Sequence, residues 1–159
     1  MSGMIIAAVV AVPLLIIGSY VGATYNALVK LKNSVEEAFS TMDVYLKKRW
    51  DLIPNIVESV KGYAKHEAQT LQNVISARNM RYGDMTEEQK LQANTELARG
   101  LAAIHVLAEQ FPDLKANQNF LDLNNQLQTT EEDIANARKY YNAVVRNYNN
   151  KTEMFPSSI

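Results

Sequence analysis

Residues 117–154 read NQNFLDLNNQLQTTEEDIANARKYYNAVVRNYNNKTEM and have the clearest periodic pattern in the chain. Five aromatic or aliphatic residues recur at intervals of seven: Phe120, Leu127, Ile134, Tyr141 and Tyr148. A second set is offset from the first by three residues: Leu123, Thr130, Ala137 and Val144. Two registers kept over successive heptads are typical of a long helix that packs against other helices at a shallow angle, as in a coiled coil. We therefore predict one helix over this stretch.

A similar pattern occurs in residues 28–52. Mostly apolar residues are spaced alternately by three and four: Leu28, Leu31, Val35, Ala38, Met42, Tyr45, Arg49 and Leu52. We expect a helix here, with an interruption at Ile53-Pro54. The residue before a proline is pushed out of the α region, and proline itself prefers the first turn of a helix. Either a second helix is therefore expected to start at Pro54, or the first helix is expected to kink there.

Two further helices are predicted between Pro54 and Asp113. The inward stripe of the first contains Val57, Val60, Ala64, Leu71, Val74 and Arg78, and this helix is expected to run out at Tyr82-Gly83-Asp84. Thr86 and Gln89 fit a capping box that opens the next helix, residues 87–110, before the turn at Phe111-Pro112-Asp113. Its inward residues are Leu91, Leu97, Leu101, Ile104 and Ala108. The predicted fold is all-α, an antiparallel bundle of three to four long helices.

The N-terminal stretch differs sharply from the rest of the chain. All 33 charged side chains lie after residue 29, and residues 5–25 are apolar or small throughout. A helix of that length spans about 30 Å, the thickness of the hydrocarbon core of a bilayer. The alternative is a cleaved signal peptide, but no positively charged residue precedes the apolar run. We predict a single-pass transmembrane anchor, residues 1–25, that continues into a bundle domain, residues 26–156.

Several residues of the anchor have expected roles in the membrane: Ile5, Pro13, Gly18, Tyr20, Gly22 and Tyr25. Pro13 is expected to kink the helix, which membrane helices tolerate, and the tyrosines suit an interface. Gly18 and Gly22 form a small-xxx-small pair that would allow a second helix to approach closely. Lys30 and Lys32 follow the span, so the positive-inside rule favours an outer N-terminus and a cytoplasmic body, although the opposite topology stays open.

The composition and motifs of the chain argue against a catalytic, metal or cofactor site. The chain has 159 residues, no cysteine and a formal net charge of −1, which argues against thiolate chemistry and against a nucleic-acid partner. Its two histidines, His66 and His105, do not occur in a Glu-x-x-His motif, and no glycine-rich phosphate loop is present. We expect no catalytic residue, no metal site and no cofactor.

Two polar features stand out in the predicted bundle. Arg49 falls at a position of the heptad where an apolar residue is expected, so we interpret it as a structural ion pair with a carboxylate such as Glu67 or Glu131, ahead of a ligand contact. Nine of the 15 asparagines lie between Asn117 and Asn150, although asparagine is a mediocre helix former. Either this is a hydrogen-bonding face for neighbouring copies, or it is an exposed face with no such role.

Several spaced motifs occur across nearly the whole chain: Tyr25-Asn26-x-Leu28-Val29, Lys48-Arg49-x-x-Leu52-Ile53-Pro54-Asn55-x-Val57, Lys61-Gly62-Tyr63-Ala64-x-His66-Glu67, Ala77-Arg78, Phe111-Pro112-Asp113-Leu114-Lys115-Ala116-Asn117-x-x-Phe120, Ala137-Arg138-x-x-Tyr141-Asn142-x-x-Val145, Tyr148-Asn149 and Phe155-Pro156. Together these motifs resemble the LemA family of bacterial membrane proteins. Phe39 departs from the pattern, since the family usually has tryptophan there. The candidate positions for contact with a partner are Asn26, Arg49, Pro54, Asn55, His66, Glu67, Arg78, Arg138, Tyr141, Asn142 and Asn149.

The resemblance implies one N-terminal membrane helix and a helical body, without an established activity. Family members tend to be associated with other membrane proteins, including proteases of the HtpX type, and a relative acts in forming magnetosome membranes. Our leading hypothesis is a membrane-anchored scaffold that forms homo-oligomers or organises membrane partners. The alternative is an adaptor or sensor for a membrane protease or another envelope protein, in which Arg49, His66 and Glu67 form a recognition patch.

Overall fold

The computed structural model describes residues 2–63, 68–76, 78 and 80–158. It contains five helices: α1, Ser2–Lys61; α2, Ala68–Ser76; α3, Glu87–Ala108; α4, Pro112–Lys115; and α5, Gln118–Glu153. A short 3-10 turn, Tyr82–Asp84, lies between α2 and α3. Within these described ranges there is no β-strand. The prediction of an all-α fold with a long N-terminal helix is confirmed.

Contacts divide the chain into two units, which are described separately. The central unit is Thr41–Ala137, and the terminal unit combines Met1–Ser40 with Arg138–Ile159. Helices α1 and α5 each contribute one part to either unit.

In the central unit, hydrogen bonds and ion pairs fix the directions of α1 and α3. Lys90 lies 2.6 Å from Asp43, and Asn94 contacts Arg49 through its side-chain and backbone oxygens. Residue numbers therefore increase together along the two helices, so α1 and α3 run parallel.

The first part of α5 runs in the opposite direction to α1. Glu131 pairs with Arg49, whereas Asn117, just before α5, donates a hydrogen bond of 3.0 Å to the hydroxyl of Tyr63, just after α1. Between these two contacts, the residue numbers rise along α1 and fall along α5. Helix α2 lies between Tyr63, just after α1, and Tyr82, whose ring packs against Trp50 on α1, so α2 brings the chain back along α1. The central unit is therefore an up-down-up-down bundle of four helical segments.

The core of the central unit follows the predicted heptads closely. Predicted inward residues that the structure buries are Met42, Leu52, Val57, Val60, Leu71, Val74, Leu97, Leu101, Ile104, Ala108, Phe120, Leu127, Thr130, Ile134 and Ala137. Tyr45, Leu91 and Leu123 are half-buried, and Ala64 lies outside the described residues. The capping box is also confirmed: the Thr86 hydroxyl accepts from the Gln89 backbone, and the Gln89 side chain accepts from the Thr86 backbone.

The prediction that Pro54 ends a helix is wrong. Helix α1 continues through Pro54 to Lys61. Proline inside a helix costs about 3 kcal/mol, but Ile53, Ile56 and Val57 are each at most 3% exposed. Burying each such side chain stabilises the fold by about 1.5–3 kcal/mol. Packing on both sides of the proline therefore outweighs the local penalty, and Pro54 itself is exposed.

The second predicted helix is correspondingly shorter than expected. Its first part, including Val57 and Val60, belongs to α1, and only Ala68–Ser76 forms a separate helix, α2. The third helix begins at Glu87 as predicted and ends at Ala108, and the turn at Phe111 contains the short helix α4. The last helix, Gln118–Glu153, agrees with the predicted range.

Helices α2 and α3 pack closely at one glycine. A Cβ atom added at Gly100 would lie 2.7 Å from Cγ2 of Val74, a side chain that is only 2% exposed. Such a distance is well inside van der Waals contact, so α2 can lie this near to α3 only because residue 100 has no side chain.

In the terminal unit, aromatic and aliphatic side chains of α1 and α5 pack together. The rings of Phe39 and Tyr141 meet edge to face with centroids 5.9 Å apart, and Ala38 and Val144 are buried. Leu28, Leu31, Val35 and Tyr148 are half-buried. Phe39, which replaces the tryptophan usual in the resembled family, is thus a packing residue.

Candidate functional site

The first feature that could determine function is the apolar part of α1. The large aliphatic and aromatic side chains that the structure describes between residues 9 and 25 are all at least 41% exposed: Val9, Val10, Val12, Leu14, Leu15, Ile16, Ile17, Tyr20, Val21 and Tyr25. The most apolar segment of this helix is not buried within the described part of the chain. Of the described helices, α1 alone is long and apolar enough to cross a membrane. So large an exposed apolar surface indicates contact with lipid or with another protein.

The predicted anchor residues all belong to α1. Pro13 does not interrupt the helix, and Gly18 and Gly22 are exposed. A Cβ atom at either glycine would meet no described atom within 4 Å outside its own helix turn. The backbone is therefore accessible along this edge of α1. Ile5 is part of the same helix, but its side chain lies outside the described part of the chain.

Arg49 occupies the middle of the central unit and is only 2% exposed. Its Nη1 donates to both carboxylate oxygens of Glu131, at 2.8 and 2.9 Å. Its Nε and Nη2 donate to Oδ1 of Asn94, and Nη2 also donates to the backbone carbonyl of Asn94. The Asn94 amide in turn donates to the carbonyl of Lys90. The predicted structural ion pair with Glu131 is confirmed, and three helices share it.

A second polar cluster lies one to two turns away along α1. The hydroxyl of Tyr82 donates to Oδ1 of Asp43 at 2.6 Å, and Nζ of Lys90 lies 2.6 Å from Oδ2. The Lys90 ammonium is also 5.0 Å from the centre of the Tyr82 ring. Burial, and then the hydrogen bond to the Asp43 carboxylate, raise the pKa of Tyr82 well above its usual value. The cluster therefore ties the loop between α2 and α3 to α1 with a protonated phenol.

Trp50 and Arg78 extend this attachment. The Trp50 ring lies 5.4 Å from that of Tyr82, and the Arg78 guanidinium is 5.2 Å from the Trp50 centroid. The buried Nε of Arg78 has no hydrogen-bond partner in the described part of the chain. The cation–π contact with Trp50 offsets part of the cost of that burial. Arg78 thus supports the loop, in agreement with its predicted place on an inward stripe.

The remaining candidate positions separate into exposed residues and packing residues. Exposed positions are Asn26, Pro54, Asn55, Arg138, Asn142 and Asn149, whereas Tyr141 packs on Phe39. At spacings of four and seven, Arg138, Asn142 and Asn149 lie on one face of α5. This row of hydrogen-bonding side chains is available to a neighbouring molecule.

Of the three residues predicted to form a recognition patch for an adaptor, the structure describes only Arg49. Arg49 is buried and its guanidinium is bound within the central unit, so it is not accessible to a partner. His66 and Glu67 lie outside the described residues.

Comparison with known proteins agrees with the resemblance seen in the motifs. A model of the LemA family matches residues 38–159. The chain belongs to the LemA family. Protein LemA of Metamycoplasma hominis is 27% identical over 139 residues, which are 86% of this chain and 62% of that relative. The chain therefore spans less than two thirds of the length of this LemA relative.

Sequence reasoning missed the cluster of Asp43, Tyr82 and Lys90. Tyr82-Gly83-Asp84 was interpreted as the end of a helix, so its tyrosine had no assigned contact. The sequence feature that pointed to this cluster is Asp43, a carboxylate one residue after the predicted core position Met42. Helical periodicity alone could not identify the partners of Asp43. Gly100 was missed because a glycine inside a helix does not reveal which neighbour lies against it.

Proposed function

We propose that this LemA-family chain is a membrane-anchored scaffold, whose helical body organises further copies or other membrane proteins at the bilayer surface. The exposed apolar part of α1 is the observation that supports this role most strongly. Its side chains are exposed around the helix, and no charged residue occurs before Lys30. Lipid is the environment that stabilises such a surface.

The same helix links the anchor to the body. Helix α1 includes both the apolar stretch and the segment with Arg49, so no separate linker occurs between the two parts. Lys30 and Lys32 follow the apolar stretch directly. By the positive-inside rule we place the body in the cytoplasm and the N-terminus outside.

The polar groups of the central unit support a scaffold without catalysis. Arg49, Glu131 and Asn94 bind one another, and Asp43 is bound by Tyr82 and Lys90. Groups engaged in this way hold helices in register, since exchanging them for substrate contacts would leave buried charges unpaired. We propose that the chain acts through binding alone.

Self-association is the second part of the proposal. Gly18 and Gly22 leave one edge of α1 open to a second helix in the membrane. On α5, the exposed row of Arg138, Asn142 and Asn149 offers hydrogen bonds to a neighbouring body. Both surfaces suit a homo-oligomer, and the second also suits a different membrane protein.

Membrane extraction with matched variants tests the anchor. Replacing Val12 and Leu15 together by arginine should shift the full-length chain from the carbonate-resistant membrane fraction to the soluble or aggregated fraction, because a charge at the bilayer centre costs about 2.5–3.5 kcal/mol. Val44→Arg with Val106→Arg is the control, since these exposed residues lie in the central unit. Extraction of the wild-type chain by carbonate would contradict the anchor.

Cysteine labelling tests the orientation. Because the chain has no cysteine, Ser2→Cys and Ser158→Cys each provide a single thiol. In intact spheroplasts, an impermeant maleimide should label Ser2→Cys, and it should label Ser158→Cys only after permeabilisation. The reverse pattern would show that the body is on the outer side.

A further inference from the structure

The segment that follows α5 lies against the end of the apolar stretch in the terminal unit. Pro156 and Ser157 face Tyr20, Val21 and Tyr25 of α1 across a groove of about 530 Å³. The groove is lined mainly by apolar atoms of side chains that belong to the predicted span or to the residues just after it. It is therefore continuous with the surface that we assign to lipid.

The helix geometry explains why the two ends meet. Phe39 contacts Tyr141, and α5 ends at Glu153, 12 residues after Tyr141, while Ala27 precedes Phe39 by 12. Antiparallel helices advance equally, by about 1.5 Å per residue. The end of α5 consequently lies level with Ala27, close to the point where the apolar stretch gives way to the first lysines, and the turn after α5 brings Pro156 to Tyr20 and Tyr25.

Two large apolar side chains just after α5 are strongly exposed. Met154 is 63% exposed and Phe155 is 81% exposed, the highest value among the large hydrophobic residues described. Other strongly exposed apolar residues outside the span, such as Val44 and Val106, occur singly. Met154 and Phe155 are adjacent in the chain and directly precede Pro156, which faces the tyrosines of the anchor across the groove.

We propose that Met154, Phe155 and Pro156 form a second membrane contact, which inserts into the interfacial layer of the leaflet reached by Tyr20 and Tyr25. This inference rests on the proposed anchor, because it requires α1 to span the bilayer. Aromatic side chains favour the boundary between headgroups and acyl chains. Lipid rather than a second protein is the occupant, since the groove continues the lipid-facing surface at the depth of the interface. The chain thus contacts the membrane through the apolar stretch of α1 and through the segment that follows α5.

Site-specific fluorescence on the full-length chain in phosphatidylcholine–phosphatidylglycerol vesicles tests the contact. Two single-cysteine variants, Phe155→Cys and Met154→Cys, are each labelled with an environment-sensitive nitrobenzoxadiazole dye. The second variant retains Phe155. We expect loss of most of the emission with lipids that have a spin label near the headgroup, and little loss with aqueous iodide. Tyr140→Cys is the matched control on α5, because Tyr140 is 57% exposed but lies about four turns away. It should respond to iodide and not to the spin-labelled lipid.

A labelled Val12→Cys variant separates the two proposals. Quenching of Val12→Cys by a spin label deep in the acyl chains, together with iodide quenching of Met154→Cys and Phe155→Cys, would overturn the second contact and leave the anchor intact. Protection of Met154→Cys and Phe155→Cys from both quenchers would also overturn it, because a protein would then cover them. Failure of lipid quenching at Val12→Cys would overturn the anchor itself.

Discussion

One guanidinium nitrogen of Arg49, Nη1, donates to both carboxylate oxygens of Glu131, at 2.8 and 2.9 Å. The partners differ in exposure, since the side chain of Arg49 is 3% exposed and that of Glu131 is 41% exposed. Desolvation of the arginine offsets much of the attraction, so the pair adds little net stability compared with apolar residues of similar size. It does define the register of α1 against α5, and Asn94 extends that definition to α3.

Removal of the Glu131 carboxylate should therefore destabilise the fold, even though the ion pair of Arg49 and Glu131 adds little net stability. We expect Glu131→Ala to lower the free energy of unfolding by about 1.5–3 kcal/mol, because a buried charge loses its charged partner. Glu132→Ala, at the exposed neighbouring position, should change it by less than about 0.5 kcal/mol. Denaturant melts of the full-length chain in detergent measure both. Equal losses in the two variants would contradict a specific role for the ion pair.

An apolar exchange at the same site gives a complementary prediction. Arg49→Met combined with Glu131→Leu should recover most of the stability lost in Glu131→Ala, because no buried charge remains. The melting experiment is the same. If the double variant were less stable than Glu131→Ala, the network would contribute net stability beyond its role in register.

The raised pKa of Tyr82 predicts alkaline sensitivity. The unfolded chain loses the phenol proton near pH 10, whereas the folded chain retains it to a higher pH. The contribution of this group is thus complete below pH 10 and decreases above it, by about 1.4 kcal/mol per pH unit. Tyr82→Phe should be less stable than wild type by about 1.5–3 kcal/mol at pH 8, with a difference that shrinks between pH 10 and 11. Asp43 and Lys90 are present in both chains, so a difference that stays constant with pH would refute this explanation.

Gly100→Ala should destabilise the chain, although alanine is the better helix former by about 1 kcal/mol. The new methyl group would overlap the buried Val74 side chain. Val74→Ala removes the overlapping Cγ2 atom, so combining the two substitutions should cost less than the sum of their separate effects. Thermal melts of the two single variants and the double variant test this coupling. Simple additivity would show that α2 and α3 adjust without strain.

Periodicity was sufficient to predict an all-α fold, the last helix and most of the core. The heptads of residues 117–154 correspond to α5, and Phe120, Leu127 and Ile134 are buried as expected. Arg49 was identified as an ion pair because a charged residue at a core position needs a partner, and Glu131 was one of two carboxylates considered. Predictions of burial succeed where the heptad position of a residue determines whether it lies in the core.

The failures have a different physical origin. Pro54 was expected to end a helix from a local preference, but the burial of Ile53, Ile56 and Val57 outweighs that preference. The contacts of Asp43 with Tyr82 and Lys90 join residues 39 and 47 positions apart. Helical spacing within one segment contains no information on such pairings, which depend on how the chain returns after α2.

The mass of the full-length chain in mild detergent, measured by light scattering with correction for bound detergent, tests the proposed scaffold most directly. We predict a uniform assembly of several copies, and Gly18→Leu with Gly22→Leu should reduce its size, whereas Ala23→Leu, about 100° further around α1 than Gly22, should not. A strictly monomeric wild-type chain would contradict a self-associating scaffold.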